Sequence, residues 1–422
     1  MEQFVYKNHK KLRYGYTTGS CAAAASKAAA AMLLSGKEIS YVELHTPKGI
    51  DLRLEVLDIS REDNAVSCAI QKDGGDDPDV TNGILIYAKV SREPADEAQI
   101  IIDGGIGVGR VTKPGLEQPV GAAAINKVPR QMIRENLEAV CEQYHYHGKL
   151  SVVISIPSGV ELAAKTFNPR LGIVGGISVL GTSGIVEPMS EQALIDTIRV
   201  EMRQKLANGM EYLLVVPGNY GIDFLDQYGH GLQLEDAVKC SNFVGEALDA
   251  AVEFGAKGVL LVGHIGKFVK LAGGIMNTHS HNADARMELL TVHAALLGAP
   301  VELLQKMMEC VTTDDALKYL KEADLMEPVM ERIMEKMEFY VNQRAQHQLE
   351  LGVITFSNVF GILGQTKNVP DLVKRLEEIR HEHSSDLLYR AWGSSGGETL
   401  ERIFRKRDDL PGMDQEERDT DT

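Results

Sequence analysis

The sequence is short of positive charge, and this deficit excludes one class of function. Its 422 residues include 44 Lys and Arg against 60 Asp and Glu, which gives a formal net charge of −16. A general nucleic-acid binder needs a broad basic surface to neutralise phosphates, so that class is excluded. A small anionic substrate stays compatible, because it needs only a local basic pocket.

Cysteine and long apolar runs are also scarce. The five cysteines are scattered and form no CxxC pair, which argues against a disulfide framework and favours reduced thiols. No segment approaches the ~20 apolar residues of a membrane span. The first residues lack the apolar run of a signal peptide. We therefore expect a soluble, cytoplasmic protein that binds neither membrane nor nucleic acid.

What is present is typical of a globular enzyme with two domains. Hydrophobic residues make up 44% and charged residues 25% of the chain. The length predicts two domains of about 150–200 residues each. An alanine-dense helix, Cys21–Leu34, closes at Gly36, and five strand-like runs at 41–45, 52–59, 65–71, 84–90 and 99–102 follow it. This order predicts an α+β domain over 1–165.

From 166 to 405 the pattern alternates between helices and strands. A buried strand at Tyr212–Val216 precedes a helix at Ser241–Phe254, which Ser241 is expected to cap. Another strand, Gly258–Val262, is followed by a helix from Asn282, its expected N-cap, to Gly298. The fold class is therefore α/β, with a Rossmann-like α/β second domain and a helical C-terminal part. Residues 406–422 are predicted to be a disordered acidic tail.

Two segments of the first domain have the composition of ligand-binding loops. Thr17, Thr18 and Ser20 open the alanine-rich helix, where free N–H groups favour an anion; simple N-capping explains the same residues. The run Gly104–Gly109 allows close backbone approach to a ligand, and Arg110 and Lys113 beside it suit carboxylates or phosphates. A plain glycine-rich connection is equally compatible, because prolines follow too soon for a GxGxxG helix start.

In the second domain, Pro217, Gly218, Asn219 and Gly221 follow a buried strand. They would lie at the carboxyl edge of the sheet, where open α/β folds bind ligands. The position expected to hold an acidic ribose-binding residue is His264, which weakens a nucleotide-binding interpretation without removing it.

The densest chemistry lies between Gly263 and Glu288. Four of the twelve histidines fall between His264 and His293, together with two lysines, an arginine and two acids. A structural connection has little use for so many titratable groups, since each must stay hydrated or find a partner. The spacing of His279 and His281 matches no strong zinc pattern, so no protein-held metal is predicted.

These residues resemble the family of cobalt-precorrin-5B C-1 methyltransferases, the CbiD type, of anaerobic cobalamin biosynthesis. The resemblance rests on five motifs and on the segment at 264–288. The motifs are LRYGYTTGSCA from Leu12, GVGRVTKPGL from Gly107, GAAAIN from Gly121, GTSGIVEPMS from Gly181 and PGNYG from Pro217.

The resemblance implies methylation of C-1 of cobalt-precorrin-5B to cobalt-precorrin-6A. S-adenosylmethionine would be the methyl donor, the substrate a polycarboxylate tetrapyrrole, and cobalt would be present only within that substrate. No residue-level role comes with the family, so we assign roles by chemistry. His264, His279, His281 and Asp284 are the candidate catalytic residues, and any of the three histidines could serve as a proton acceptor or as an axial contact to the substrate's cobalt. A homo-oligomer is compatible with the sequence.

The remaining candidates bind donor or substrate. For the donor we favour Pro217, Gly218, Asn219 and Gly221, with Gly105, Gly107 and Gly109 as the competing site. The substrate's carboxylates call for basic and hydroxyl side chains. The candidates are Arg110, Lys113, Lys267, Lys270 and Arg286, with Thr17, Thr18 and Ser20.

Two other functions stay open at this point. A phosphoryl-transfer enzyme would use Thr17–Ser20 and Gly104–Gly109 as phosphate cradles, although no GxxxxGK[ST] loop is present. A non-catalytic corrinoid-binding protein would bind the tetrapyrrole without transferring a methyl group.

Overall fold

A computed structural model describes residues 4–7, 9–94, 99–218, 232 and 236–380 of the chain. No helix within these ranges is long and apolar enough to cross a membrane. The chain divides into two compact units, Met1–Glu211 with Val238–Ala256, and Tyr212–Ala237 with Lys257–Thr422. The predicted boundary at 165/166 lies inside the first unit, where the helices at Glu191–Ala207 and Val244–Glu253 pack on each other. The predicted tail, 406–422, lies outside the described residues.

The first unit contains most of the short strands. Its strands are β1 (Phe4–Lys7), β2 (Lys10–Arg13), β3 (Gly15–Tyr16), β4 (Tyr41–His45), β5 (Asp51–Glu55), β6 (Leu57–Glu62), β7 (Ala65–Gln71), β8 (Leu85–Glu93), β9 (Gln99–Gly104), β10 (Gly107–Val108), β11 (Arg110–Val111), β12 (Lys149–Ser155), β13 (Ile173–Val174), β14 (Gly176–Ile177), β15 (Ile185–Val186) and β17 (Val238–Lys239). Its α-helices are α1 (Thr18–Ser35), α2 (Lys127–Gln143), α3 (Gly159–Leu162), α4 (Glu191–Ala207) and α5 (Val244–Glu253), and a short 3₁₀ helix spans Ala163–Lys165.

The core of this unit is a mixed sheet covered by α1. The strand order is β6-β7-β8-β12-β9, antiparallel except for the parallel pair β12 and β9. Helix α1 packs on β7, β8 and α2, and its alanines are almost entirely buried. Small side chains allow this close approach of a helix to a sheet, and Gly36, with a φ of 73°, ends the helix. The predicted α+β character of this part is confirmed.

The second unit consists of a parallel sheet core and a helical half. Its strands are β16 (Tyr212–Val216), β18 (Gly258–His264), β19 (Glu350–Ser357) and β20 (Gly361–Gln365). Its α-helices are α6 (Ile265–Phe268), α7 (Arg286–Leu296), α8 (Val301–Met308), α9 (Thr313–Glu322) and α10 (Met326–Arg344), with a 3₁₀ helix at Val269–Gly273. A further helical stretch covers 369–380.

Strands β16, β18 and β19 are parallel neighbours, and β20 closes the sheet antiparallel to β19. All three parallel strands are almost fully buried, as expected where helices cover both faces. The α/β fold class is therefore confirmed.

Three local predictions are wrong. The helix expected from Asn282 begins at Arg286, because residues up to Ala285 (φ 49°) form a turn. Ser241 has a φ of 54° and does not cap α5, whose N-cap is Phe243. The single strand expected at 52–59 is two strands, β5 and β6, with different partners, β4 and β7.

Candidate active site

The carboxyl ends of three parallel strands meet at one edge of the second unit's sheet. Strand β16 leads into Pro217 and Gly218, β18 ends at His264, and β19 ends at Ser357. Ligands of open α/β sheets bind at this edge. Among the described residues, no heavy atom lies within 4 Å of a Cβ placed on Gly218. The predicted partners Asn219 and Gly221 lie outside the described residues.

His264 is held by the start of α6. Its Nδ1 accepts a hydrogen bond from the backbone N–H of Gly266 at 3.1 Å, and the ring packs edge-on against Phe356. Burial lowers the pKa of His264, and the nearby charge of Asp314 only partly opposes this. With Nδ1 occupied as an acceptor, we assign the proton of the neutral ring to Nε2. His264 therefore offers an N–H donor rather than a free base.

Two polar residues at this edge were missed by the sequence analysis. The Ser357 hydroxyl donates to Asp314 Oδ1 at 2.7 Å and accepts backbone N–H groups from Val359 and Phe360. Asp314 lies in the first turn of α9, and its charge acts on His264. The available signal for Ser357 was a hydroxyl at the end of a buried strand. Nothing near Asp314 in the sequence indicates its proximity to His264.

A compact ion cluster follows α6. Lys270, only 2% exposed, donates to the carbonyl of Thr278 at 3.0 Å, and its Nζ lies 4.0 Å from Asp284 Oδ1. Arg286 donates hydrogen bonds to both carboxylate oxygens of Asp284, from Nε to Oδ1 and from Nη2 to Oδ2, the latter at 3.0 Å. Burial lowers the pKa of Lys270, while the charges of Arg286 and the half-buried Lys267 add to this effect and Asp284 opposes it. Lys270 and Arg286 thus share the carboxylate of Asp284, and Lys267 is a third cation nearby.

Asp284 is the counter-ion of this cluster. The Arg286 guanidinium holds the pKa of the Asp284 carboxyl below its ordinary value, and Asp284 in turn raises the pKa of Arg286. A carboxylate with a lowered pKa is a weak base near neutral pH. The geometry therefore favours a positioning role for Asp284, which the sequence analysis counted among the candidate catalytic residues.

His279 and His281 are exposed in the turn before α7. The Nδ1 of His279 accepts the backbone N–H of His281 at 3.1 Å, while the N–H of His279 bonds to Asn277. The two rings lie 6.4 Å apart, and the ring nitrogens of His281 have no hydrogen-bond partner within the described chain. No group of three or more His, Cys, Asp or Glu residues suited to a metal ion occurs among the residues described.

In the first unit, the hydroxyls at the start of α1 point inward. Thr17 caps Ser20 N–H, Thr18 exchanges hydrogen bonds with Leu180, and Ser20 donates to the carbonyl of Gly184 at 2.6 Å. All three side chains are buried. Their polar groups are satisfied within the protein, which supports the capping interpretation over an anion site.

The glycine-rich run of the first unit is closely packed. A Cβ on Gly107 would lie 1.7 Å from the Ile156 carbonyl oxygen, and one on Gly109 would lie 2.3 Å from the Ile173 side chain. A Cβ on Gly105 would meet the Ser155 hydroxyl at 2.4 Å. Because neighbouring chain already fills the space beside these glycines, packing accounts for them without a ligand.

Arg110 and Lys113 differ in their surroundings. Arg110 forms a two-pronged pair with Asp103, at 2.7 and 2.9 Å, and a third bond to the Gly104 carbonyl. Lys113 is exposed, and its alkyl chain lies beside Gly172. These two residues are in the first unit, whereas His264, Lys267, Lys270, Asp284 and Arg286 share one segment of the second.

Comparison with known proteins identifies the family. The family model described as CbiD matches residues 5–188, and the one described as CbiD, C-terminal domain, matches residues 277–367. A protein of Ruminiclostridium cellulolyticum named cobalt-precorrin-5B C(1)-methyltransferase is 52% identical over 382 residues, 89% of this chain and 98% of that protein. One of the same name from Alkaliphilus metalliredigens is 46% identical, over 89% of this chain and 98% of its own length.

The chain is also similar in sequence to a protein of solved structure. The crystal structure of the cobalamin biosynthesis protein cbiD from Archaeoglobus fulgidus is 28% identical and covers 67% of this chain and 87% of that chain, with a TM-score of 0.37. From the two family models and from relatives about half identical over nearly their whole length, the chain belongs to the CbiD family.

Proposed function

We propose that this protein transfers a methyl group from S-adenosylmethionine to C-1 of cobalt-precorrin-5B, giving cobalt-precorrin-6A in anaerobic cobalamin biosynthesis. The observation that carries this proposal is the 52% identity to a protein named cobalt-precorrin-5B C(1)-methyltransferase, aligned over 98% of that protein. The coarser statement, that the chain is a methyltransferase of cobalamin biosynthesis, follows from the same relatives.

In this methyl transfer, the main task of the protein is to align S-adenosylmethionine with the tetrapyrrole. A sulfonium methyl group is already a strong electrophile, so orientation and exclusion of water carry most of the catalysis. Positioning alone supplies about 7–11 kcal/mol in favourable cases. A rigid parallel sheet edge with buried strands on either side suits this task, since it fixes the ends of β16, β18 and β19 relative to one another.

The donor is assigned to the end of β16. At the carboxyl edge, none of the described residues fills the space beside Gly218, which fits the close approach of an adenosyl group. Asn219 and Gly221, which belong to the same assignment, lie outside the described residues. The competing site at Gly105, Gly107 and Gly109 is less favoured, because packing against neighbouring chain explains those glycines.

The acceptor is assigned to the segment from His264 to Arg286. Lys267 and Arg286 would bind its carboxylates, and the buried Lys270 with Asp284 would hold Arg286 in place. His264 would donate its Nε2–H to the substrate. Of the three histidines, His281 has free ring nitrogens among the described residues, so it is our candidate for a proton acceptor or axial contact to the substrate's cobalt.

The first-unit candidates stay weaker proposals. Lys113 is the better placed for a substrate carboxylate, because it is exposed, whereas Arg110 already has Asp103. Thr17, Thr18 and Ser20 would reach substrate only by giving up their internal hydrogen bonds.

The decisive assay uses S-adenosylmethionine carrying a labelled methyl group together with cobalt-precorrin-5B. Transfer of label to the tetrapyrrole supports the proposal. Binding of the tetrapyrrole without transfer would instead indicate a non-catalytic corrinoid-binding protein. Retention of ATP and magnesium, with no binding of S-adenosylmethionine, would indicate phosphoryl transfer.

A further inference from the structure

An unpartnered histidine is buried between two helices of the second unit. His293, on α7, is 6% exposed, and its Nδ1 is buried without a hydrogen-bond partner. Helix α7 packs on α10, and the charges of Arg332 and Lys336 on α10 act on His293. Buried polar atoms of native proteins are almost always paired, so an unpaired one indicates a missing partner.

The facing helix supplies two cations. Arg332 is half-buried; its Nε is enclosed without a partner, and it makes no hydrogen bond or ion pair with described residues. Lys336 lies one turn further along α10, on the same face. Burial lowers the pKa of His293, and the charges of Arg332 and Lys336 lower it further. Among the described residues, no carboxylate raises the pKa of His293. The exposed Lys336 has its ammonium over the Phe339 ring, 5.8 Å from the ring centroid.

The face of α10 that carries Arg332 and Lys336 also carries Tyr340, which approaches the segment of Lys270. Tyr340, one turn beyond Lys336 on the same face, lies 3.1 Å from a Cβ placed on Gly274. Gly274 ends the 3₁₀ helix that contains Lys270, and α10 packs along that helix. The segment with Asp284 and Arg286 follows and continues directly into α7.

We propose that His293, Arg332 and Lys336 form an oxyanion-binding site that takes a carboxylate of the tetrapyrrole substrate. A guanidinium matches the two oxygens of a carboxylate, and a protonated His293 would donate to it from Nδ1. The oxyanion thus supplies the partner that both buried nitrogens lack. The choice of a substrate carboxylate rests on the proposed function, whereas the oxyanion chemistry does not; a free phosphate is the other source of such a group.

The experiment follows His293 by NMR in protein labelled at histidine, with His293→Gln to assign the signal. The probes are cobalt-precorrin-5B, inorganic phosphate and acetate. A bound oxyanion stabilises the imidazolium, so cobalt-precorrin-5B should raise the proton affinity of His293 by about tenfold, which is about one pKa unit. A response to phosphate alone would overturn the assignment to the substrate, and no response to any probe would overturn the site.

Kinetics of labelled methyl transfer give the second readout. Arg332→Gln should raise the KM for cobalt-precorrin-5B at least tenfold with kcat within twofold, and Arg332→Lys should recover part of the loss. Lys318→Gln, on an exposed position of α9, is the matched control and should change neither constant. Thermal unfolding of each variant shows whether it is folded, and His293→Gln provides an independent variant with the same expected rise in KM.

The two proposals fail in different ways. If cobalt-precorrin-5B raises the proton affinity of His293 but no label is transferred, the site stands and the proposed function does not. If label is transferred by the unaltered protein and Arg332→Gln leaves KM unchanged, the function stands and the oxyanion site does not.

Discussion

At the scale of single residues, hydrogen bonds decide what each titratable group can do. The segment from His264 to Glu288 is rich in acids and bases, which predicts ligand handling but not individual roles. The structure distinguishes their roles. The Nδ1 of His264 accepts a hydrogen bond from the backbone N–H of Gly266, whereas the charge of Asp284 is balanced by Arg286 and Lys270. The sequence could not predict this division, because it depends on which side chains a turn brings within about 3 Å of each other.

His264 should contribute to stability in a pH-dependent way. Because its pKa is lowered, the unfolded chain takes up a proton at higher pH than the folded chain does. The contribution of His264 is therefore present above the ordinary pKa of 6.5 and is lost as pH falls from there through the lowered pKa of the folded protein. Between pH 7.5 and pH 5.5, the protein should lose more unfolding free energy than His264→Asn, which keeps an N-cap but cannot titrate.

Urea unfolding followed by circular dichroism measures this difference. His264→Ala, which lacks the cap, should cost about 1 kcal/mol at pH 7.5. An equal pH dependence in the protein and in His264→Asn would show that His264 is not held neutral by its surroundings.

Lys270 should be a structural support of the ion cluster. Lys270→Met keeps the buried alkyl chain but removes the donor to the Thr278 carbonyl and one cation beside Asp284. We expect a loss of about 1–3 kcal/mol in unfolding free energy, together with a raised KM for the tetrapyrrole. Lys318→Met, at an exposed position of α9, is the control. Unchanged or increased stability would mean that desolvation of the buried ammonium outweighs its bonds.

At the scale of secondary-structure elements, sequence patterns predicted whether a segment is a helix or a strand better than they predicted where it begins and ends. The buried strands at Tyr212–Val216 and from Gly258 onward are confirmed, since continuous apolar runs leave little choice in a covered parallel sheet. Helix α7 begins at Arg286 and not at Asn282. In the turn before it, the backbone N–H of His279 donates to the Asn277 side chain, and Ala285 at the end of the turn has a positive φ. These features depend on contacts that helix-capping rules do not include.

The glycine run of the first unit should be required for folding. Gly107→Ala places a methyl group 1.7 Å from the Ile156 carbonyl oxygen at a φ of 74°, so the backbone must shift. The combined overpacking and left-handed strain should cost about 3–5 kcal/mol. Gly121→Ala, at a φ of 90° with nothing within 4 Å, should cost only the conformational strain of about 1–2 kcal/mol.

Thermal unfolding of the two glycine variants makes the comparison. Equal losses would show that close packing is not what Gly107 provides. If the Gly107→Ala protein is stable but binds S-adenosylmethionine more weakly, the glycine run would again be a candidate for the donor site.

At the scale of the whole molecule, composition and element order were enough to predict an α/β protein. The strand–helix alternation of the second half predicted the parallel sheet and hence the edge where Gly218 and His264 lie. The pairing of Ser357 with Asp314 and the cluster of His293, Arg332 and Lys336 could not be predicted from the sequence, because their members are distant along the chain. Candidate residues within one segment could be proposed from the sequence, whereas groups of residues from separate helices could not.

The central claim is methyl transfer to C-1 of cobalt-precorrin-5B, and one measurement tests it most directly. The protein is mixed with cobalt-precorrin-5B and S-adenosylmethionine carrying a ¹³C-methyl group, and the product's new methyl carbon is located by NMR. We predict one labelled methyl per tetrapyrrole, attached at C-1, with loss of label from the donor in equal amount. Label at another ring position, or a bound tetrapyrrole that gains no label, would contradict the assignment.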